Sequence, residues 1–192
     1  MSKVLPSRKH HIQHVATNLF KTKGYKATTM RQMAREVGIE AASIYNHVGS
    51  KEEILQQICF GMSEQFFNGI EPLLKENISA EKKLWLAIQN HIEVLSADIN
   101  AAAVFLNDWR HLSEPHLTSF KKLRTRYENL FRKILREGMD KKVFKRDDET
   151  FLVLMIFSSL NWIHNWYNPK GKMKANEIAS SLTDLILNGI KK

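Results

Sequence analysis

The chain is poor in the residues that build disulfide-rich and turn-rich proteins. Its 192 residues include one cysteine, Cys59, with four prolines and eight glycines. A single cysteine excludes an intrachain disulfide and argues against a cysteine-based zinc site, so we expect a reducing compartment, the cytoplasm. The scarcity of proline and glycine argues against long linkers and against a β-sandwich.

Long apolar runs are also lacking. The most apolar stretch, residues 151–164, contains two serines and an asparagine, and it is shorter than the ~20 residues that a membrane helix needs. The basic N-terminus is not followed by the apolar segment of a secretory signal. We therefore expect no membrane partner and interpret residues 151–164 as a buried helix.

Positive charge is in excess and unevenly placed. The formal net charge is +9, and residues 1–60 carry nine basic and four acidic side chains, so +5 falls on less than a third of the chain. An excess of this kind suits nucleic acid, an anionic ligand or an acidic surface. Its position favours an N-terminal nucleic-acid contact and separate functions for the N-terminal part and the rest of the chain.

Helical periodicity dominates and predicts an all-α fold of about nine helices. Gly24 and Gly38 are expected to end the first two helices, and Thr29 with Gln32 forms a capping box that opens the second. The expected helices are Ser7–Lys23, Thr29–Gly38, Ala41–His47, Ser50 to Pro72, one capped by Ser79, Ala101–Leu112, Pro115–Gly138, Asp148–Tyr167 and a ninth with the stripe Ile178, Leu182, Leu185 and Ile186.

The segment Thr28 to Leu55 predicts a helix-turn-helix. Two short helices are separated by Gly38-Ile39-Glu40, and the second can lie in a major groove. Once the apolar packing positions are removed, the outer face consists of Ala41, Ala42, Ser43, Tyr45, Asn46 and His47. Small residues let the backbone approach bases, asparagine can pair with adenine edges, and Tyr45 and Lys51 can reach phosphates.

The same residues resemble the tetracycline-repressor (TetR) family of bacterial transcription regulators. The resemblance rests on Lys23-Gly24-Tyr25, Thr28-Thr29, Met33-Ala34, Val37-Gly38-Ile39 and Ile44-Tyr45-Asn46-His47 before Ser50-Lys51-Glu52-Glu53; Glu40 and Val48 depart from the family pattern. It implies a helix-turn-helix domain over residues 1–50 and a ligand-binding and dimerisation domain over residues 51–192. It also implies phosphate contacts from Thr29, Tyr45, His47 and Lys51, and base contacts from Ala42, Ser43 and Asn46.

By the same resemblance, the eighth and ninth helices pair with those of a second copy. Such a homodimer places two recognition helices about one duplex turn apart on a pseudo-palindromic operator, ~34–36 Å. Residues 161–171, NWIHNWYNPKG, are similar to a segment of TetR-type regulators of fatty-acid and other acyl-CoA catabolism, from which Asn165 and Lys174 depart. The expected function is a repressor that a hydrophobic effector, such as an acyl-CoA, releases from DNA.

The aromatic residues of the C-terminal two thirds suit an apolar ligand cavity, and arginines there suit phosphate. The candidate ligand residues are Trp109, Arg110, Arg124, Tyr127, Phe157, Trp162 and Trp166. Two alternatives remain for these residues: the aromatics pack the core, and the arginines form a solvated basic face. An alternative for the function is a TetR-like regulator of efflux or stress genes that senses a different apolar small molecule.

Other classes of function find little support. No G-x-S-x-G, H-E-x-x-H or phosphate-binding glycine loop is present, so we expect no enzyme, catalytic residue or cofactor. His10, His11 and His14 include an i, i+4 pair but have no carboxylate or cysteine nearby, so we expect no metal site. No helix combines a basic face with an exposed apolar face of the type that binds membrane surfaces.

Overall fold

The computed structural model describes residues 7–191, and within them the chain folds into nine α-helices and three short 3-10 helices. The only β-type pairing in these residues is one isolated bridge between Phe144 and Lys191. The prediction of an all-α fold is confirmed. The α-helices are α1 (Arg8–Lys23), α2 (Met30–Val37), α3 (Lys51–Ile70), α4 (Ala80–Ala97), α5 (Ile99–Asn107), α6 (His116–Asp140), α7 (Glu149–Asn161), α8 (Ile163–Trp166) and α9 (Ala175–Ile190).

The chain forms two compact units. One contains the described residues up to Gly61 together with Asn100–Thr118, and the other contains Met62–Ile99 together with residues 119–191. The first six residues of the predicted DNA-binding domain lie outside the described part of the chain.

The first unit is built on α1 and α2, which pack together around fully buried Ile12, Ala16 and Met33. Local sequence sets their ends. Gly24 and Gly38 have φ values of 86° and 74°, a region that favours glycine, and both amides bond to carbonyls of the helix that they end. These two predicted C-caps are confirmed.

Two predicted helices in this unit are shorter than expected. The segment Ala41–His47 contains only one turn of 3-10 helix, Ser43–Asn46. Its N-cap residue, Ala42, offers no side-chain cap, and the amides of Ser43 and Tyr45 bond three residues back. The segment predicted to end at Leu112 leaves the α-helix after Asn107 and tightens into a 3-10 turn, Trp109–His111.

The second unit is built around α4, which packs against α7, α8 and α9. Ser79 caps α4 as predicted, since its hydroxyl accepts the Lys82 amide at 3.2 Å. The predicted stripe is fully buried at Leu84, Ile88 and Ile92. Burying such side chains contributes roughly 1.5–3 kcal/mol each, so this stripe stabilises the unit by several kcal/mol.

The predicted helix Asp148–Tyr167 is broken at Trp162 into α7 and α8, which corrects the prediction. The ring of His164 takes the Asn161 carbonyl oxygen at 2.5 Å, and the Asn165 amide bonds the Trp162 carbonyl three residues back. In a continuous α-helix the Asn165 amide would bond the Asn161 carbonyl, and here the His164 side chain bonds that carbonyl in its place.

None of the helices in residues 7–191 combines the length and the apolar character needed to cross a membrane.

Candidate DNA-binding surface and effector core

Thr29 holds the start of α2 and is exposed. Its hydroxyl accepts the Gln32 amide at 3.2 Å, and its own amide donates to the Gln32 side-chain oxygen at 2.9 Å. The predicted capping box is therefore confirmed. With the hydroxyl oxygen used as an acceptor, its hydrogen is free to donate to an outside group such as a phosphate oxygen.

The segment 42–47 presents one outward surface. Ile44 is fully buried and anchors the turn, whereas Tyr45 has 57% of its surface exposed. Ala42, Asn46 and His47 are exposed, and Ser43 is half-buried. The structure thus brings together five of the candidate base and phosphate residues within one short turn.

Lys51 lies elsewhere, at the first position of α3, with its side chain turned inwards. Its Nζ donates to the carbonyl oxygens of Tyr25 at 2.9 Å, Thr28 at 3.0 Å and Lys26 at 3.4 Å. It also lies 4.4 Å from the centroid of the Tyr25 ring. The contacts that the structure gives its ammonium are with the loop between α1 and α2.

Two arginines were missed by the sequence analysis. Arg31 and Arg35 are exposed on α2 and, with Thr29, Ile39 and Ala41, border a cleft of about 460 Å³. Their i, i+4 spacing already places both side chains on one helical face. That spacing, beside the predicted cap, was the signal available in the sequence.

The core of the second unit contains a cluster of rings around Tyr127. The ring centroids of Phe66, Phe67, Phe131 and Phe157 lie 5.2, 5.7, 5.5 and 5.7 Å from that of Tyr127. Most of these pairs are edge-to-face, the arrangement that ring quadrupoles favour. Two candidate ligand residues, Tyr127 and Phe157, are therefore in direct contact.

A polar network runs through this aromatic cluster. His91 is buried, its Nδ1 is 3.3 Å from the Tyr127 hydroxyl, and its Nε2 is 3.1 Å from the Asn161 side-chain oxygen. Burial lowers the pKa of His91 from 6.5 to about 4, although the bond to Asn161 acts in the opposite direction. The imidazole is therefore neutral at physiological pH and donates from Nε2.

His91 and Asn161 were not among the candidate residues. His91 falls on the apolar stripe of α4, three residues after Ile88 and four before Leu95. An imidazole inside such a stripe was the signal that the sequence offered. Its partners come from α6 and α7, which local patterns do not identify.

Removing His91 is expected to flatten the acid dependence of stability. Above about pH 6.5 the group is neutral in both the folded and the unfolded chain, so its stabilising contribution is complete. As the pH falls from 6.5 towards 4 only the unfolded chain takes up the proton, and about 3 kcal/mol of unfolding free energy is lost. Below that range both states are protonated and the loss stops.

The measurement is urea unfolding between pH 4 and pH 7 for the wild type and for His91→Gln. Tyr127→Phe is the matched control, because it removes the neighbouring hydroxyl and keeps the buried imidazole, so it should retain the fall. If the unfolding free energy of His91→Gln fell between pH 7 and pH 4 as much as that of the wild type, groups other than His91 would be responsible for the fall.

The remaining candidate ligand residues are dispersed. Trp109 and Arg110 belong to the first unit, where the guanidinium lies 4.5 Å from the centroid of the buried indole ring. Arg124 is half-buried in α6. Trp162 and Trp166, at the break between α7 and α8, are exposed at 64% and 48%.

Exposed apolar side chains concentrate on the C-terminal helices. Phe151, Leu154 and Met155 of α7 are about half exposed, and Leu185 of α9 is exposed at 76%. In the stripe predicted for the ninth helix, Ile178 is buried, Leu182 and Ile186 are half-buried and Leu185 is exposed. Clustered exposure of this kind typically marks a protein–protein contact.

Family models match most of the chain. The model for bacterial regulatory proteins of the tetR family covers residues 12–58, and the model for the tetracyclin repressor-like C-terminal domain covers residues 77–190.

Individual proteins match over nearly the full length. The HTH-type transcriptional repressor KstR2 of Rhodococcus jostii is 24% identical over 185 residues, which span 95% of this chain and 91% of that protein. The fatty acid metabolism regulator protein of Bacillus subtilis is 25% identical over 177 residues, 91% of each chain.

Solved structures share the fold. The structure of the ketosteroid transcriptional regulator KstR2 of Mycobacterium tuberculosis matches with a TM-score of 0.92 at 22% identity, over 98% of this chain and 97% of that one. AibR, in complex with isovaleryl coenzyme A and operator DNA, matches with a TM-score of 0.79 at 17% identity, over 93% and 97% of the two chains.

Proposed function

Because the chain belongs to the tetR family of bacterial regulatory proteins and is a transcriptional repressor of that family rather than an enzyme, we propose that an effector releases it from its operator. It acts in the cytoplasm as a homodimer that binds a pseudo-palindromic duplex. Its effector is a hydrophobic molecule, and an acyl-CoA is the class that we favour.

The observation that carries the DNA-binding proposal is the outward surface of residues 42–47. Asn46 offers the donor and acceptor pair that fits an adenine edge, while Ala42 and Ser43 are small enough to let the turn approach the bases. Tyr45, His47 and Thr29 supply phosphate contacts around it, and Arg31 and Arg35 add two positive charges beside Thr29. Phosphate contacts fix the register, and Asn46 reads the sequence.

The dimer proposal rests on the exposed apolar side chains of α7 and α9. Leaving Phe151, Leu154 and Leu185 in water is unfavourable, and covering them with the same surface of a second copy removes that cost twice. A two-fold axis there presents two turns to successive half-sites of one duplex.

The effector proposal rests on the core around Tyr127. Its rings suit an acyl chain. Within the His91–Asn161–Tyr127 network the imidazole and the hydroxyl bond to their neighbours, and the side-chain NH2 of Asn161 is the group that would donate to a thioester carbonyl. Arg124, which belongs to the same unit as Tyr127, is the candidate for CoA phosphates. Support also comes from relatives, since one is a fatty acid metabolism regulator and AibR was solved with isovaleryl coenzyme A. Release follows if the effector binds the DNA-free state more tightly.

The test measures operator binding and release together. The wild-type protein selects duplexes from a random library, and the enriched duplex is titrated by fluorescence anisotropy with acyl-CoAs of graded chain length. We expect one range of chain length to release the DNA and to stabilise the free protein by about 2.7 kcal/mol at 100 times its dissociation constant.

Free coenzyme A and the matching free fatty acids are the controls, and both should act more weakly. Release by none of the acyl-CoAs would reject this effector class in favour of a different apolar molecule. Absence of any enriched duplex would reject operator binding itself.

A further inference from the structure

The ammonium of Lys51 has its hydrogen-bonding capacity filled by the protein. A lysine amine carries three N–H groups. Here three carbonyl oxygens, those of Tyr25, Lys26 and Thr28, lie 2.9, 3.4 and 3.0 Å from Nζ. The Tyr25 ring adds a cation–π contact at 4.4 Å. A phosphate oxygen could bond this amine only by displacing one of these contacts.

The Lys51 contact reaches the start of α2 through one peptide group. The Thr28 carbonyl and the Thr29 amide belong to the same planar unit. The carbonyl accepts from Lys51 Nζ, and the amide donates to the Gln32 side chain at 2.9 Å. Both ends of the plane are therefore held, which fixes the direction from which Thr29 enters α2.

The neighbours of Lys51 weaken its field towards an outside anion. Glu52 accepts the amide and hydroxyl of Ser113 at 2.7 and 2.8 Å, and Glu53 accepts the Gly49 amide at 2.7 Å. These bonds hold the pKa of both carboxyl groups below the ordinary value, so both are ionised. Two fixed carboxylates in the first turn already satisfy the positive N-terminus of α3.

We propose that Lys51 is a positioning residue for DNA binding: its amine shapes the loop from Tyr25 to Thr28 and so places Thr29 against the DNA backbone, without itself contacting a phosphate. This inference rests on the proposed operator binding and replaces the phosphate contact that the family resemblance implies for Lys51.

The test compares Lys51→Met and Lys51→Arg on the duplex enriched by the wild type, over a range of salt concentrations. Measurements are made at low temperature, and circular dichroism confirms that both variants keep the helicity of the wild type. Both variants are expected to lose about tenfold in affinity, because a planar guanidinium cannot aim three donors at carbonyls that converge on one nitrogen. The slope of log affinity against log salt should stay that of the wild type.

A phosphate contact predicts different results. Lys51→Met would then flatten the salt slope by about 0.9 for each bound subunit, and Lys51→Arg would restore binding. Lys133→Met removes one exposed charge from α6 and controls for net charge, so it should match the wild type. A lower melting temperature with wild-type affinity would reduce Lys51 to a purely structural residue and overturn the proposal.

A double-mutant cycle tests the route through Thr29. If Lys51 acts by placing Thr29, the Lys51→Met/Thr29→Ala protein should lose no more affinity than the weaker-binding single variant. Losses that multiply would show independent contacts and reject the inference. Failure of the wild type to prefer the enriched duplex over a scrambled one would instead reject the proposed function, so the two failures are distinguishable.

Discussion

Asn46→Ala is expected to lower affinity for the operator about a hundredfold or more while leaving binding to random DNA almost unchanged. A bidentate asparagine–adenine contact discriminates by about 1–3 kcal/mol, and a two-fold dimer loses it in both half-sites. Because Asn46 is exposed and no described fold contact depends on its side chain, the melting temperature should not change. Anisotropy titrations with the enriched and the scrambled duplex at one salt concentration measure both affinities.

Two variants make the result specific. Asn68→Ala removes an exposed asparagine from α3 and should bind both duplexes as the wild type does. Tyr45→Phe removes a proposed phosphate donor, so it should weaken both duplexes by a similar factor. If Asn46→Ala weakened both duplexes equally, Asn46 would be a backbone contact and the sequence would be read by other residues.

The parts of the fold that local chemistry decides could be predicted from the sequence. The Thr29–Gln32 capping box, the cap from Ser79 and the glycine ends at Gly24 and Gly38 depend on residues within one turn of each other. The buried stripe of α4 depends only on a period of 3.6 residues. These features need no knowledge of distant contacts.

Helix lengths that depend on competing hydrogen bonds could not be predicted in this way. The break at Trp162 arises because the His164 ring takes the Asn161 carbonyl, while the Asn161 side chain is held by His91 from α4. Apolar periodicity continues through this point and gives no sign of the competition. Nine α-helices were predicted and nine are observed in residues 7–191, but the two sets differ. One predicted helix is a 3-10 turn, and another is split into α7 and α8.

The same limit applies to the sites. Residues 42–47 are consecutive, so their shared surface follows from the sequence once Ile44 is assigned to the core. Lys51 was predicted to contact a phosphate; the partners that the structure gives its amine are carbonyl oxygens 23 to 26 residues earlier in the chain, which no local pattern identifies. Trp162 and Trp166 show the related ambiguity, because aromatic residues on a helix suit a cavity, a core or an interface equally well.

Leu185 shows why an apolar stripe does not by itself identify the partner of a helix. The i, i+3, i+4 pattern that predicts a buried face is the same whether the covering atoms come from this chain or from a second copy. Within one chain Leu185 is exposed at 76%, although it follows Ile178 and Leu182 in the predicted stripe. The contrast between periodicity and exposure is what favours an intermolecular contact here.

Leu185→Glu is accordingly expected to convert the proposed dimer into a monomer and to abolish high-affinity operator binding. Each buried leucine contributes about 1.5–3 kcal/mol, the two-fold axis counts it twice, and two carboxylates would be brought into an apolar contact. The dimer dissociation constant should rise at least about a thousandfold. Sedimentation velocity at low micromolar concentration measures the change directly.

Thr125→Glu adds the same charge to an exposed position of α6 and should remain dimeric, so it separates the effect of place from that of charge. Operator affinity should fall with the loss of the dimer because a monomer reaches one half-site and makes half of the phosphate contacts, which also halves the salt slope. A Leu185→Glu protein that stays dimeric would show that Leu185 of α9 is not part of the dimer interface. A monomer that still bound the full operator with wild-type affinity would contradict the two-fold reading of the DNA.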